Sequence, residues 1–196
     1  MATKLKNCKR IFIIGNADSL FSLDHIISEG DFIVRFNKPN ISCNIKTDML
    51  FIANGPRMVI RRTELFNNLL NENCTIIWRY SIKDILSSRY ERISLSRKIR
   101  YPFLFAKFKK LNTFDQYPSS VYDQNMQKKC TSFMHEAIPS TGFLAIYMLK
   151  TQYPHIPIYI HNFTFQGWEG HLWDSEEKII NQWIESKELA VSSSLL

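Results

Sequence analysis

The segment KRIFIIGNADS, residues 9–19, decides the fold of this chain. The apolar run in residues 9–14 predicts a strand of the core. The turn Gly15-Asn16-Ala17-Asp18 follows it, and we expect a helix from Ser19 to about residue 28. A strand that runs into such a turn and a helix N-terminus can present backbone N–H groups to an anion. A purely structural turn, capped by its Asn and Asp side chains, is the alternative.

The same segment excludes two common nucleotide sites. Gly15 is the only glycine of the turn, so the dinucleotide fingerprint G-x-G-x-x-G is absent, and no G-K-[ST] follows. Bound NAD and a P-loop nucleotide are therefore disfavoured.

Strands and helices alternate along the rest of the chain. Apolar strands are predicted at residues 32–36, 49–53, 74–80 and 156–161, and helices at 58–70, at 139–152 and from 174 onward. With 196 residues, of which 45% are hydrophobic, the chain suits one domain. We predict an α/β fold over residues 1–196, a single doubly wound Rossmann-like domain with a mainly parallel sheet. Weakly periodic residues 112–139 suggest a mobile lid, and residues 192–196 a frayed tail.

The composition of the chain indicates which classes of partner it favours. The formal net charge of +7 favours an anionic partner, such as a nucleotide, an anionic lipid or a nucleic acid. Residues 89–110 combine basic side chains with aromatic ones, which predicts either contact with anionic lipid or a solvated basic surface. No run approaches the roughly 18 to 20 apolar residues that span a bilayer. The four cysteines, far apart in the sequence, match neither a zinc nor a redox motif.

Three further motifs could bind a ligand or carry chemistry. Arg35 and Asn37 form an R-x-N at the predicted end of the second strand, where open α/β sheets bind ligands. The sequence P-S-T-G at residues 139–142 gives a second helix N-terminus with small residues that let a phosphate approach. His171 precedes Glu176 by five residues at the start of the last predicted helix. A short R-x-N is unspecific. The structural alternatives for the other two motifs are a capped helix for P-S-T-G, a surface histidine for His171, and for Glu176 a carboxylate that favours the helix dipole.

In this order and spacing, the motifs resemble the large, small and very small sialylmotifs of glycosyltransferase family 29. The matching stretches are G-N-x-x-S at 15–19, R-x-N at 35–37, P-S-T-G at 139–142 and H-x4-E at 171–176. The small bacterial sialyltransferases of family 42 are similar in outline. The resemblance covers residues 9–54 and 137–185 and leaves the middle of the chain unmatched.

The resemblance implies a transferase that uses a CMP-activated acidic keto-sugar, above all CMP-sialic acid, on a GT-A-like variant of the doubly wound sheet. His171 would be the general base of an inverting displacement, with Glu176 as a second catalytic residue. Asn16 and Asn37 would hydrogen-bond the phosphate or ribose of CMP. The nucleotide-binding residues that it implies are Gly15, Asn16, Ser19, Arg35, Asn37, Ser140, Thr141 and Gly142.

Elementary chemistry agrees with two of these expectations. A histidine, whose ordinary pKa is near 6.5, suits proton removal at neutral pH. No D-x-D occurs in the chain, and transferases that depend on Mg²⁺ or Mn²⁺ usually hold the metal with such a pair. We therefore expect no metal and no cofactor other than the CMP-sugar donor.

The chain departs from the family in its third motif and in its surroundings. The H-Y-x-[ED] pattern is missing, which leaves His161 and Trp168 as candidate contacts to the leaving group or acceptor. The animal members carry a membrane anchor and a disulfide, and neither has a match here. This suggests a bacterial-type cytoplasmic enzyme of lipooligosaccharide or capsule biosynthesis, peripheral at the inner membrane face.

Three alternatives stay open. A CMP-Kdo-dependent transferase would use the same leaving group and a similar acidic keto-sugar. A basic nucleic-acid-binding protein would explain the sequence pI of about 9.2, although no RNP1 or KH motif is present. An inactive relative would bind CMP without transfer.

Overall fold

A computed structural model of the protein describes residues 2–18, 21–39, 45–60, 69–87, 94–134, 138–167 and 169–196. Within them, seven strands form one sheet, and every neighbouring pair is parallel. The strands are β1 (Arg10–Ile14), β2 (Asp31–Phe36), β3 (Thr47–Ile52), β4 (Leu70–Trp78), β5 (Ser119–Val121), β6 (Ile158–His161) and β7 (Ala190–Val191). Their order is β5-β4-β3-β2-β1-β6-β7. The predicted α/β, Rossmann-like fold is confirmed at this level.

Helices cover both faces of the sheet. They are α1 (Ala2–Lys6), α2 (Pro56–Ile60), α3 (Ile82–Leu86), α4 (Leu95–Leu111), α5 (Gln124–Phe133), α6 (Thr141–Gln152) and α7 (Trp173–Glu185). Ile13 and Val34 belong to the core cluster that includes residues of α5, α6 and α7. Leu50 and Ile76 pack with α2, α3 and α4 on the opposite face. Because consecutive strand residues alternate between faces, both faces of the sheet are apolar, as in other sheets covered by helices on both sides.

Side-chain hydrogen bonds stabilise the ends of several helices and strands. Ser140 caps α6, since its Oγ accepts from the Phe143 N–H at 3.1 Å. At the amino edge of the sheet, Arg10 binds both carboxylate oxygens of Asp31, at 2.9 and 2.6 Å, and so ties the start of β1 to the start of β2. This bidentate pair belongs to the folding of the sheet, at the edge opposite the site described below.

The helix expected after the first turn is wrong where the structure describes it. Residues 21–28 form a single turn, in which Ile26 and Ile27 donate to the carbonyl of Leu23. The Ser22 hydroxyl accepts from the Asp24 N–H and donates to the Asp24 carboxylate. Such local bonds compete with helical backbone bonds, which explains the difference.

The segment expected to be a lid is largely structured instead. Residues 112–134 contain a 3-10 helix at Phe114–Gln116, the edge strand β5 and the helix α5. Tyr122 and Cys130 are buried in the core cluster of α6. These buried anchors hold the segment, and its pattern is weak because the remaining residues are polar.

The residues at which the sequence suggested a frayed tail make defined contacts in the structure. Ser192–Leu195 form a 3-10 helix after β7, and Ser192 is fully buried. Its Oγ lies 2.7 Å from Nδ1 of His161, so a side-chain hydrogen bond ties this end of the chain to β6.

Candidate functional site

A cleft of about 1020 Å³ opens at the carboxyl ends of the strands. It spans the point between β1 and β6 where the strand order reverses, which is the usual ligand position of an open α/β sheet. Its volume lies at the upper end of the range for small-molecule sites. Seven of the residues predicted from the sequence line it: Gly15, Asn16, Asn37, Ser140, Thr141, Gly142 and His171.

Gly15 has a structural reason to be glycine. Its N–H donates to the carbonyl of His161 at 2.7 Å, and a Cβ built on it would lie 2.0 Å from the Asn162 carbonyl oxygen. The ends of β1 and β6 therefore touch through backbone alone. This contact forms the floor of the cleft at the switch point and differs from the phosphate-binding role predicted for the turn.

Asn16 and Asn37 cross-link the strand ends. The Asn16 Nδ2 donates to the Phe36 carbonyl at 3.0 Å, and the Asn37 Oδ1 accepts from the Ala53 N–H at 2.9 Å. Each bond identifies the amide atom, because a carbonyl only accepts and an N–H only donates. Among the described residues each bond leaves part of the amide available: Asn16 keeps its oxygen and its second N–H, and Asn37 keeps its NH₂ and the second lone pair of its oxygen.

Arg35 and His161 lie elsewhere. Both are buried and neither is among the described residues that line the cleft. His161 packs edge-on against Phe21 and bonds Ser192, and burial, followed by the charge of Arg35, lowers its pKa. Both side chains therefore belong to the buried core and not to the described lining of the cleft. Ser19 and Trp168 fall outside the described residues.

Glu176 joins α7 to the N-terminus of α6. The Ser140 N–H donates to its Oε1 and the Ser140 Oγ to its Oε2, both at 2.6 Å. The carboxyl group is 1% exposed, and burial raises its pKa against the opposing effects of Ser140 and Arg79. A carboxylate from the protein itself therefore stabilises the helix terminus where the resemblance had placed a phosphate. Glu176 is not among the described residues that line the cleft, so its contacts indicate a structural rather than a catalytic role.

His171 lines the cleft with a fixed tautomer. Its Nδ1 lies 2.7 Å from the Ile138 carbonyl oxygen, which can only accept, so Nδ1 carries the proton and the basic lone pair of the neutral ring is on Nε2. Trp173 packs edge-on against the ring at 5.0 Å. Burial lowers the pKa of His171, with a further lowering by Arg79, against the effect of the Ile138 bond. Burial therefore favours the neutral form of the ring, which is the form that accepts a proton.

Arg79 is the main residue that the sequence analysis missed. It follows β4 directly, lines the cleft and is 5% exposed. Its Nη2 donates to the Pro139 carbonyl at 2.8 Å and its guanidinium lies 5.3 Å from the Tyr80 ring centre, while its Nε meets no hydrogen-bond partner among the described residues. A desolvated cation at the wall of a cleft attracts an anionic ligand strongly. The signal was available, since Arg79 lies next to the end of the predicted strand 74–80, as Arg35 does in the predicted strand 32–36.

An aromatic loop closes one side of the cleft. Phe163 packs on Phe36 with ring centres 5.5 Å apart, and a Cβ on Gly142 would lie 3.0 Å from Phe163. Phe165 has φ of +47°, a left-handed conformation that is costly for a bulky residue. Such strain concentrates at ligand-binding loops, so we assign residues 162–167 to the site.

The described residues show neither a metal-binding cluster nor a membrane-spanning helix. They contain no group of three or more His, Cys, Asp or Glu side chains placed to hold a metal ion. Among the helices that the structure describes, none has the length and apolarity to cross a membrane.

Comparisons with protein-family models, with curated proteins and with solved structures found no match for this chain. The assignment of a function therefore depends on the chemistry of the cleft and on the motif resemblance.

Proposed function

We propose that the protein is an inverting, metal-independent glycosyltransferase with a GT-A-like variant of the Rossmann-like fold. It transfers sialic acid or a related acidic keto-sugar from a CMP-activated donor to a glycan or lipid-linked oligosaccharide. The observation that supports this most is the convergence of four sequence motifs on one cleft, since residues 15–16, 37, 140–142 and 171 all line it. The predicted α/β fold already placed residues 15–16 and 37 at the ligand-binding ends of strands, and the resemblance assigned residues 140–142 and 171 to the same site.

The two asparagines offer complementary groups to a nucleotide. Asn37 has an NH₂ donor available, which suits a phosphate oxygen or a hydroxyl. Asn16 keeps its oxygen for a ribose hydroxyl or an amino group, and the second N–H of its NH₂ can donate to a phosphate oxygen. Both residues therefore suit the roles that the resemblance gave them, and Asn37, with both of its N–H groups available, has the larger donor capacity.

Arg79 supplies the positive charge that the donor requires. A CMP-activated keto-acid sugar carries a phosphodiester and a carboxylate, and the buried guanidinium lines the same cleft as Asn37. An anion near Arg79 would gain from the low dielectric of the site and needs no metal ion for charge balance. Arg79 thus takes the role that the resemblance implied for Arg35.

His171 acts as the general base. The acceptor hydroxyl oxygen bonds to the anomeric carbon of the sugar, and its proton passes to Nε2 of His171. The bond between that carbon and the phosphate oxygen breaks, and CMP leaves with the electron pair. A positioned base of this kind typically contributes about 10² to 10⁴ in rate. The Nδ1 bond to Ile138 keeps the ring in the tautomer that this step needs.

Calorimetric titration with CMP in EDTA, with UMP and NADH as controls, tests the nucleotide pocket. We expect selective CMP binding. The matched variant is Asn37→Asp, which keeps the oxygen that accepts from Ala53 but loses the NH₂ donor and adds a negative charge. It should fold normally and bind CMP at least tenfold more weakly. Equal affinity for CMP, UMP and NADH, or full affinity in Asn37→Asp, would count against the proposal.

Turnover with CMP-sialic acid and with CMP-Kdo then distinguishes the donors. His171→Ala should lose at least about 10² in turnover while CMP binding persists. A chain that binds CMP selectively and transfers neither sugar is an inactive relative.

A further inference from the structure

The helix α4 has an apolar stripe that the fold leaves uncovered. Leu95, Ile99 and Phe103 are 72%, 69% and 63% exposed. They are four residues apart, so they lie along one side of the helix. Single exposed apolar side chains are ordinary, but three in register form a patch of the kind that marks an interaction site.

This stripe is distinct from the face that α4 uses for folding. Tyr101, Leu104, Phe105 and Phe108 are buried against β3 and β4. The helix α3, which packs on α4, adds the exposed side chains of Ile82 and Leu86.

The charge of α4 identifies the kind of partner. Its 17 residues include six Lys and Arg and no Asp or Glu. Lys107 lies with its Nζ 4.5 Å from the ring centre of Phe103, so a cation directly borders the apolar stripe. Exposed apolar side chains flanked by cations are the pattern of helices that lie in the interface of an anionic membrane. A nucleic acid would use the cations but gain little from Leu95 and Ile99.

The position of α4 relates this face to the cleft. Tyr101 donates to the Asn54 carbonyl at 2.5 Å, and Asn54 leads into Gly55 and Arg57, which line the cleft. Because β4 and β5 are parallel, the chain between them must return to the amino edge, so α4 begins near the carboxyl edge. Residues 94–100, of which all but the half-buried Lys98 are exposed, therefore stand at the edge where the cleft opens.

We propose that the exposed face of α4 docks on an anionic lipid bilayer and so presents the cleft to a lipid-linked acceptor. The docking is independent of the reaction, whereas the choice of acceptor depends on the proposed transferase function. Phe103 and Ile99 enter the interface. Lys107 and Lys110 contact anionic head groups, since both are exposed and lie four and seven positions after Phe103, on the same side of the helix. Of the four aromatic residues of α4, only Phe103 has this role, because Tyr101, Phe105 and Phe108 are buried.

Co-sedimentation of the full chain with vesicles tests the docking. The vesicles are phosphatidylcholine alone or a mixture with phosphatidylglycerol, and we expect binding only to the mixture. Ile99→Ser with Phe103→Ser should weaken this binding at least tenfold. Lys107→Gln with Lys110→Gln should weaken it about 25-fold, at about fivefold for each cation.

A matched control removes two charges from the other side of the sheet. Lys128 and Lys129 are exposed on α5, so Lys128→Gln with Lys129→Gln gives the same net charge as the variant that lacks Lys107 and Lys110 and should leave vesicle binding unchanged. Calorimetric titration with CMP, without vesicles, should give the same affinity in all variants, and this keeps the two proposals separate.

Two results would overturn the docking proposal. One is vesicle binding that is absent or is unaffected by Ile99→Ser with Phe103→Ser. The other is tighter binding to poly(U) than to vesicles, unaffected by the same variant, which would make α4 a nucleic-acid surface. Vesicle binding without CMP binding would leave the docking surface in place and remove the transferase.

Discussion

Replacement of Glu176 measures what its two bonds to Ser140 contribute. In Glu176→Ala the Ser140 hydroxyl can turn to another partner, but the Ser140 N–H is fixed by the backbone and would remain buried without an acceptor. Leaving a buried donor unsatisfied costs about 1–3 kcal/mol. For a domain of this size that lowers Tm by about 2–12 °C.

Glu176→Gln separates the bonds from the charge. Its amide oxygen can still accept from the Ser140 N–H, and the cost of burying a charge disappears. We expect Tm within about 4 °C of the wild-type value, which corresponds to about 1 kcal/mol. If the role of Glu176 is structural, this variant also keeps CMP binding and most of the turnover.

Thermal denaturation followed by circular dichroism, with urea titration as a second measure, tests both variants. Glu177→Ala is the matched control, because Glu177 is the exposed neighbour on α7 and its loss changes the net charge equally. Equal Tm values for Glu176→Ala and Glu177→Ala would refute the reasoning about Ser140. A loss of turnover in Glu176→Gln at unchanged stability would restore Glu176 as a catalytic residue.

Three further predictions concern the cleft. Gly15→Ala should destabilise the fold by at least about 3 kcal/mol in urea titration, because its Cβ would lie 2.0 Å from the Asn162 carbonyl oxygen; a normal midpoint would contradict the contact. Activity should rise with pH and level off, with a midpoint below 6.5, because only neutral His171 accepts a proton and burial lowers its pKa; a midpoint above 6.5 in the pH profile of kcat/KM would exclude it as the base. Arg79→Met should weaken CMP binding about 10- to 150-fold and leave the binding of uncharged cytidine unchanged, and Arg57→Met, at an exposed position, should have a smaller effect. Equal losses of affinity for CMP and cytidine in calorimetry would mean that Arg79 has a packing role.

The strands were predictable because each core strand is a compact apolar run. The predicted residues 32–36 and 156–161 differ from β2 and β6 by no more than two positions at either end. The helix α6 was also predictable, since Ser140 gives a clear N-cap signal and apolar residues follow it. β4 begins earlier than predicted, at Leu70, because polar residues 71–73 extend it at the amino edge.

The directions of Arg35 and His161 were not predictable. Val34 and Phe36 face α6, so Arg35 must point to the other side of the sheet. In a strand that is buried on both faces, the sequence has no polar side from which this direction can be inferred. The hydrogen bonds between Ser140 and Glu176 were not predictable either, because they depend on how α6 and α7 pack together.

The pairing of β1 with β6 has a consequence for the order of folding. Ile11 pairs with Ile158, whereas β2 pairs with β1 from the very next strand along the chain. During synthesis on the ribosome, β2 emerges soon after β1 and can pair with it. The other edge of β1 stays unpaired until β6 has been synthesised, near the end of the chain. The cleft lies where β1 meets β6, so most of the sheet of a nascent chain can form before the cleft is complete. A nascent chain stalled before residue 158 should be prone to edge-to-edge aggregation, and ligand binding should appear only when β6 has inserted.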